Sequence, residues 1–297
     1  MPDTSVPSAS SPLSDRHPDA ASSRTPSQQP RLKCVLLTND DGIDAPGLEV
    51  MAHIAAQIAD EVWIVAPETD QSGTSHSVSL HGPLRAIPRG ERRFGVTGTP
   101  GDCVVMAQAL MGGATPDLVL SGVNRGGNLG VETVFSGTVG AAMTATLLGQ
   151  RAIAMSQTYR QPNPLNWETA RQWGADVVRQ LLTLPTQPGV CLNVNFPAVP
   201  PEEAKGIRLT RQGAGLVRSM EVDAKQDPRG VPYYWLRFRR DGTDAIPDSE
   251  TAAVLDGYVS VTPLRFERTD SVALDQLRHA FAEGRTSGFN DNASVPQ

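Results

Sequence analysis

The chain has 297 residues, 39% of them hydrophobic and 20% charged, which is enough for one large domain or two small ones around a buried core. The formal net charge is −6, from 26 basic and 32 acidic residues, and no basic stripe stands out. Only 5% of the residues are aromatic. This composition argues against polymeric nucleic acid as a binding partner, because such binding relies on clustered Lys and Arg and on aromatic stacking.

The cysteines and the hydropathy pattern give no sign of an exported or membrane protein. The cysteines Cys34, Cys103 and Cys191 are odd in number and widely spaced, so neither a disulfide framework nor a zinc ribbon fits. No apolar stretch is long enough to span a membrane. We therefore expect a cytoplasmic protein without a membrane partner.

Both ends of the chain have compositions typical of disorder. Residues 1–30 are dominated by Ser, Pro, Asp and Thr, cannot bury enough surface to fold, and lack the apolar core of a signal peptide. Residues 285–297 look frayed in the same way. We expect a disordered leader, a single domain over residues 31–284 and a flexible tail.

From Leu32 onward, strand patterns alternate with helix patterns. Strands are predicted at 34–37, 62–66, 78–80, 84–87, 94–96, 118–120, 152–155 and 191–194. Helices are predicted at 45–59, from 97–101 to 110, at 136–149 and at 167–182, with Asp44 as a possible cap of the first. This alternation is typical of an α/β fold with a mostly parallel sheet covered on both faces. Ligands bind such sheets beyond the carboxyl ends of the strands, so the loops there are the candidate site.

The pattern changes after residue 197. Residues 207–210, 233–238 and 258–261 read as strands separated by polar turns. We expect an extended β-hairpin arm, roughly residues 206–262, that packs against the core or against a neighbouring subunit.

Asp40 and Asp41 stand side by side after the apolar run 34–37. Side chains alternate between the faces of a strand, so these carboxylates converge only if the chain turns, which Asn39 and Gly42 allow. Adjacent carboxylates repel each other unless a cation offsets the repulsion, and Mg²⁺ prefers oxygen ligands. The pair is therefore either a divalent-cation site or a solvated acidic turn.

Two further loops follow predicted strands and should lie near this pair. The loop 66–77 carries several hydroxyls and His76, which is either an acid or phosphate contact or a plain surface histidine. The loop 121–130 contains four glycines, together with Asn124 and Asn128. Its backbone N–H groups can approach an anion, or the loop is only a flexible turn.

The segment Ser136-Gly137-Thr138 begins a helix. Its free backbone N–H groups and the positive end of the helix dipole make an anion pocket. Ser136 is also a good N-cap, and the two roles are compatible.

Together these motifs resemble the SurE family, the stationary-phase survival proteins that are metal-dependent 5′/3′-nucleotidases. The matching segments are 38–42, 65–77, 97–103, 121–128, 136–139, 193–197, 243–244 and 258–264. The resemblance covers roughly residues 33–265, and its specificity lies in the ordered set of motifs.

The resemblance implies a Rossmann-like three-layer core with a protruding arm, assembled as a homodimer or homotetramer through exchanged C-terminal elements. It implies one Mg²⁺ or Mn²⁺ per subunit and hydrolysis of nucleoside monophosphates, with exopolyphosphatase activity as a further expectation. The metal ligands would be Asp40, Asp41, Ser72 and Asn124, the first two being the catalytic carboxylates. Phosphate would be bound by Asn128, Ser136, Gly137 and Thr138, with His76 as a candidate contact to the leaving group. Asp41 or metal-bound water would be the base or nucleophile.

Three other classes of protein share parts of this pattern. A phospho-receiver module needs an acceptor Asp at a later strand end, where this chain has Ser121-Gly122. A haloacid-dehalogenase-type phosphatase places its two aspartates two residues apart, whereas Asp40 and Asp41 are adjacent. A nucleotide-binding protein without enzymatic activity would be excluded by turnover.

Overall fold

The structure, a computed structural model, describes residues 31–160, 164–185, 187–240 and 246–282. The predicted leader 1–30, the predicted tail 285–297 and the motif residues 243–244 lie outside the described residues. The strands are β1 (Leu32–Thr38), β2 (Ala59–Pro67), β3 (Ala86–Gly90), β4 (Arg93–Val96), β5 (Leu118–Arg125), β6 (Ala152–Gln157), β7 (Cys191–Phe196), β8 (Ile207–Leu209), β9 (Ser219–Gln226), β10 (Pro232–Arg239) and β11 (Val259–Leu264). The helices are α1 (Pro46–Ala56), α2 (Pro100–Leu110), α3 (Gly137–Leu147), α4 (Glu168–Leu182), α5 (Glu250–Leu255) and α6 (Ser271–Ala282).

Nine strands form one sheet in the order β3-β4-β2-β1-β5-β6-β7-β11-β8. The six strands from β4 to β7 in this order are mutually parallel, while β3 and β11 run antiparallel to their inner neighbours. The predicted α/β fold with a mostly parallel sheet is therefore confirmed. The chain leaves β1 toward β2 and later returns to β5 on the other side, so a crevice opens between β1 and β5 at their carboxyl ends.

Helices cover both faces of the sheet and make three layers. The neighbouring residues Leu36 and Leu37 of β1 point to opposite faces, and each is fully buried in a different core cluster. The cluster around Leu37 includes apolar residues of α1 and α4, and the cluster around Leu36 includes those of α2 and α3. The α3 side contributes the small residues Ala141, Ala142 and Ala145, which let this helix lie close to the sheet.

Among the described residues of the predicted arm, 206–262, the hairpin consists of β9 and β10. Strands β9 and β10 pair with each other in a separate two-stranded antiparallel sheet. Strands β8 and β11, at the two ends of the predicted arm, belong to the main sheet, where β11 pairs with β7. The confirmed C-terminal hairpin is thus shorter than the sequence pattern indicated.

Two local predictions were wrong. Residues 78–80 do not form a strand, because the backbone N–H and hydroxyl of Ser79 bind the Asp102 carboxylate at the start of α2 instead of a neighbouring strand. Asp44 does not cap α1, because the helix begins at Pro46 and Ala45 occupies the N-cap position without a side-chain cap. Neither difference moves the loops at the carboxyl ends of β1 and β5.

Among the described residues, the helices lack the combination of length and apolar character that crossing a membrane requires.

Candidate active site

A cavity of about 840 Å³ opens at the crevice between β1 and β5. Five of the residues predicted from the sequence line it: Asp40, Ser72, Asn124, Asn128 and Ser136. They come from the loops after β1, β2 and β5 and from the start of α3. Residues that are far apart in the sequence therefore meet at one edge of the sheet, as the parallel arrangement requires.

Asp40 is buried at the carboxyl end of β1. The Thr138 hydroxyl donates a hydrogen bond to its Oδ1 atom, and its backbone carbonyl accepts the Gln71 N–H at 2.7 Å. The pKa of Asp40 is raised to about 6. Burial is the largest cause, the Thr138 hydrogen bond opposes it, and the nearby Asp41 carboxylate adds to it. The charged form of Asp40 is therefore costly unless a cation stands beside it.

Asp41 is half-buried in the turn that follows β1. Its Oδ2 atom accepts the backbone N–H of Arg125 at 3.1 Å, which ties the turn to the end of β5. Burial raises the pKa of Asp41, the Arg125 N–H lowers it, and the Asp70 carboxylate raises it. The Asn39 amide donates to the Gly42 carbonyl at 2.9 Å and closes the turn that lets the two aspartates converge.

The donor set of this end of the cavity fits a hard divalent cation. Within the described ranges, no Lys or Arg forms an ion pair with Asp40 or Asp41. The candidate ligands Ser72 and Asn124 add neutral oxygen atoms. No group of three or more His, Cys, Asp or Glu side chains suited to a metal occurs in the part of the chain that the structure describes. Oxygen ligands without imidazole or thiolate suit Mg²⁺ or Mn²⁺ better than Zn²⁺.

Local hydrogen bonds orient the two neutral candidate ligands. The Ser72 backbone N–H donates to Asp70 Oδ1 at 2.7 Å, which fixes the turn in the loop after β2. The Asn124 amide nitrogen donates to the Gly126 carbonyl at 2.9 Å. Because the amide nitrogen of Asn124 is engaged, its carbonyl oxygen is the atom available to a cation.

The first turn of α3 joins the acidic pair to a candidate anion site. Ser136 is the N-cap, and its hydroxyl accepts the Val139 N–H at 3.1 Å. Gly137 packs so closely on Asp40 that a Cβ atom there would lie 2.7 Å from the Asp40 Cβ. The Thr138 hydroxyl is used by Asp40, so Thr138 offers an anion its backbone N–H.

Asn128 is held by a buried polar network that sequence reasoning missed. Its backbone N–H donates to Asn195 Oδ1 at 2.8 Å, and its carbonyl accepts the side-chain amides of Asn193 and Asn195 at 2.9 and 3.2 Å. Its own amide nitrogen donates to Ser156 Oγ at 2.9 Å. In the sequence, residues 193–197 belong to the family pattern, and the alternation of polar and apolar residues in β7 is the only local sign that Asn193 and Asn195 have a special role.

His76 lies outside the cavity. Its ring packs against Phe266 with 5.2 Å between ring centroids, its Nε2 atom lies 3.2 Å from Met143 Sδ, and its Nδ1 atom lies 3.1 Å from Ser75 Oγ. Burial is the main cause that lowers its pKa. His76 is therefore packed on the α3 side of the sheet. Its lowered pKa favours the neutral form.

The outer wall of the cavity includes Phe238 and Arg240, which the sequence did not single out. Phe135 contacts Phe238 of β10 with ring centroids 5.3 Å apart, and the Arg240 guanidinium lies 5.4 Å from the Phe238 centroid. Arg240 also pairs with the buried Glu132 at 3.0 Å. The hairpin therefore supplies part of the cavity wall, a long-range contact without a sequence signal.

Comparison with known proteins gives consistent results. The family model described as "Survival protein SurE" matches residues 35–219. The chain is 56% identical over 251 residues to a protein of Burkholderia lata named 5′-nucleotidase SurE 1, covering 84% of this chain and 97% of that protein. It is 46% identical over 252 residues to the 5′-nucleotidase SurE of Methylobacterium radiotolerans, covering 84% and 99%. The crystal structure of the SurE protein from Aquifex aeolicus superimposes with a TM-score of 0.71 at 35% identity, covering 84% of this chain and 99% of that one. The chain thus belongs to the SurE family.

Proposed function

We propose that this protein is a 5′-nucleotidase, a phosphoric monoester hydrolase that converts nucleoside monophosphates to nucleosides and phosphate. The observation that carries the proposal is that the candidate oxygen ligands Asp40, Ser72 and Asn124 line the same cavity as Ser136, the residue at the start of α3. The names of relatives up to 56% identical support the same activity.

In this proposal one Mg²⁺ or Mn²⁺ is held by Asp40, Asp41, Ser72 and Asn124. When bound, such a cation supplies Lewis-acid stabilisation of negative charge and lowers the pKa of water. The protein prepares that position by burying Asp40 and fixing its carboxylate with the Thr138 hydroxyl. Asp41, half-buried and with a raised pKa, is our candidate for the base that accepts a proton from the attacking water.

The phosphate is bound, in this proposal, by Asn128, by Ser136 and by the backbone N–H groups of Gly137 and Thr138. Ser136, Gly137 and Thr138 lie at the positive end of α3, where charge on the transferring phosphoryl group is stabilised. The nucleoside then points toward the outer wall, where the rings of Phe135 and Phe238 offer apolar surface to a base.

Further parts of the proposal concern substrate range, assembly and location. Arg125, Arg160 and Arg237 line the same cavity, so a longer phosphate chain is a second candidate substrate and exopolyphosphatase activity is its test. We also propose a homodimer or homotetramer, because Tyr234 and Trp235 of the isolated hairpin are more than half exposed. A cytoplasmic location fits its three free cysteines, Cys34, Cys103 and Cys191.

A phosphate-release assay tests the central proposal. Purified protein with AMP or GMP should release phosphate in the presence of Mg²⁺ or Mn²⁺, and excess chelator should stop the reaction. Asp41→Asn should lose activity while staying folded, whereas Asp44→Asn, at an exposed position in the same turn, should keep it. Full activity of the wild type in excess chelator, or of Asp41→Asn, would contradict the metal assignment.

The same assay separates the rival classes. A nucleotide-binding protein without enzymatic activity would bind AMP without releasing phosphate. A phospho-receiver or haloacid-dehalogenase-type mechanism would leave an aspartyl-phosphate that acid quenching can trap. Turnover without a trapped intermediate supports the nucleotidase proposal.

A further inference from the structure

Two backbone segments from distant parts of the chain touch beside the cavity. Residues 129–130 follow Asn128, and residues 213–215 lead from β8 toward the hairpin. A Cβ atom on Gly130 would lie 2.1 Å from the Gly215 backbone nitrogen, and one on Gly215 would lie 2.8 Å from the Leu129 carbonyl oxygen. Only glycine at both positions allows the two backbone segments to approach this closely.

The side chain of Glu250 joins the two segments. Its Oε1 atom accepts the Gly130 N–H at 2.6 Å, and its Oε2 atom accepts the Gly213 N–H at 2.7 Å. Glu250 is the first residue of α5 and is fully buried. Hydrogen bonds to an ionised carboxylate are among the stronger ones in proteins. The two hydrogen bonds to Glu250, called here the Glu250 bridge, therefore hold the two backbone segments firmly together.

Gln212 adds a second connection between the same segments. Its amide nitrogen donates to the Gly130 carbonyl and to Thr133 Oγ1, both at 2.8 Å. Gly130 is therefore held through both its N–H and its carbonyl by residues more than eighty positions away in the chain.

The loop 128–136, which the Glu250 bridge holds at Gly130, carries candidate phosphate contacts at both ends. Asn128 precedes Gly130 by two residues, and Ser136 follows it by six. Asn128 is anchored from the other side by Asn193 and Asn195, and Ser136 is anchored as the cap of α3. Asn128 and Ser136 are thus fixed at the two ends of this loop. The position of Gly130 between them determines the path of the loop.

We propose that Glu250 is a positioning residue for phosphate binding, acting through the Gly130 N–H; this inference rests on the proposed function. Glu250 does not touch substrate. It fixes the loop between Asn128 and Ser136 so that their side chains face one phosphate group. The same carboxylate holds residues 213–215, which lead into the hairpin. It therefore also fixes the position of the outer wall relative to the phosphate contacts.

The test compares Glu250→Gln with Ser249→Ala. Glutamine keeps the size of the side chain, but its amide nitrogen then faces one of the two backbone N–H groups, which loses a hydrogen bond. Ser249 caps the same helix through the Ala252 N–H and is not among the cavity-lining residues, so its alanine variant controls for destabilisation of α5 alone.

We expect Glu250→Gln to raise KM for AMP by up to about tenfold, because phosphate binding must then restore the loop position that the lost hydrogen bond maintained, with kcat changed far less. The dissociation constant of inorganic phosphate, measured calorimetrically with Mg²⁺ present, should rise in parallel. Ser249→Ala should lower the unfolding temperature without changing either value. Gln212→Met, at an exposed position that folding tolerates, should raise KM in the same direction by a smaller factor.

Equal KM and phosphate affinity in Glu250→Gln and Ser249→Ala would overturn the positioning role. If Glu250→Gln does not fold, an unchanged KM in Gln212→Met would overturn it as well. A wild-type protein that neither hydrolyses AMP nor binds phosphate would instead refute the proposed function, and the positioning role with it.

Discussion

Replacing Asp40 with asparagine should stabilise the metal-free protein while removing its activity. The pKa of Asp40 is raised from 3.8 to about 6, mainly by burial, so the folded state binds a proton at Asp40 more tightly than the unfolded state does. Since one pKa unit corresponds to about 1.36 kcal/mol, ionisation of Asp40 costs the metal-free folded state about 3 kcal/mol. Asparagine is uncharged at every pH and still accepts the Thr138 hydroxyl, so it avoids this cost.

The pH dependence gives the prediction its sign. Above about pH 6, Asp40 is ionised in both the folded and the unfolded states, and the full cost of about 3 kcal/mol applies. Below about pH 4 it is protonated in both states, and the cost disappears. The metal-free wild type should therefore gain stability as the pH falls through this window. The advantage of Asp40→Asn should be about 3 kcal/mol at pH 8 and about half of that at pH 5.

Urea denaturation with excess chelator measures this difference, with Asp44→Asn as the control for an exposed carboxylate in the turn that follows β1. Adding Mg²⁺ at pH 8 should stabilise the wild type and leave Asp40→Asn unchanged, because binding to the folded state alone raises stability. If Asp40→Asn is no more stable than the wild type at pH 8 in chelator, the buried carboxylate carries no such cost and the reasoning fails.

Three further substitutions test the arrangement around the first turn of α3. Gly137→Ala places a Cβ atom 2.7 Å from the Asp40 Cβ, so the carboxylate must shift, and kcat/KM for AMP should fall about a hundredfold with an unchanged circular dichroism spectrum. Thr138→Val removes the hydrogen bond that lowers the pKa of Asp40, so the acid limb of the pH–rate profile should move to higher pH. His76→Phe keeps the packing against Met143 and should leave KM within about twofold, since the ring lies outside the cavity; a large rise would restore His76 as a substrate contact.

The parts of the site that follow parallel strands could be predicted from the sequence. Thr38 of β1 pairs with Ser121 of β5, so the residues beyond them necessarily meet at one edge of the sheet. Asp40 and Asn124 follow from that rule once the two apolar runs are recognised. Ser136 was also predictable, because an N-cap depends on residues within one turn of it.

The supports of these residues could not be predicted, since they depend on contacts between distant segments. Asn195 anchors Asn128 from 67 positions away, yet its local pattern is that of an ordinary strand residue. Phe238 reaches the cavity only because the hairpin folds back over Phe135. The strand character of β11 was visible, but its pairing with β7 depends on the whole sheet.

The first turn of α3 connects the proposed metal site to the proposed phosphate site. Ser136 caps the start of α3 through the Val139 N–H and leaves the Gly137 and Thr138 N–H groups free. Gly137 allows the backbone to lie against Asp40, and the Thr138 hydroxyl donates to that carboxylate. A shift of this turn would therefore move the proposed metal ligand Asp40 and the proposed phosphate donors together. In-line attack requires a fixed distance between the Asp40 carboxylate and the phosphate donors at the start of α3. Because the same turn holds that carboxylate and carries the donors, that distance is maintained without a further hinge or contact. The buried position of Asp40 then follows from the same arrangement, because a carboxylate packed on a helix start cannot also be solvated.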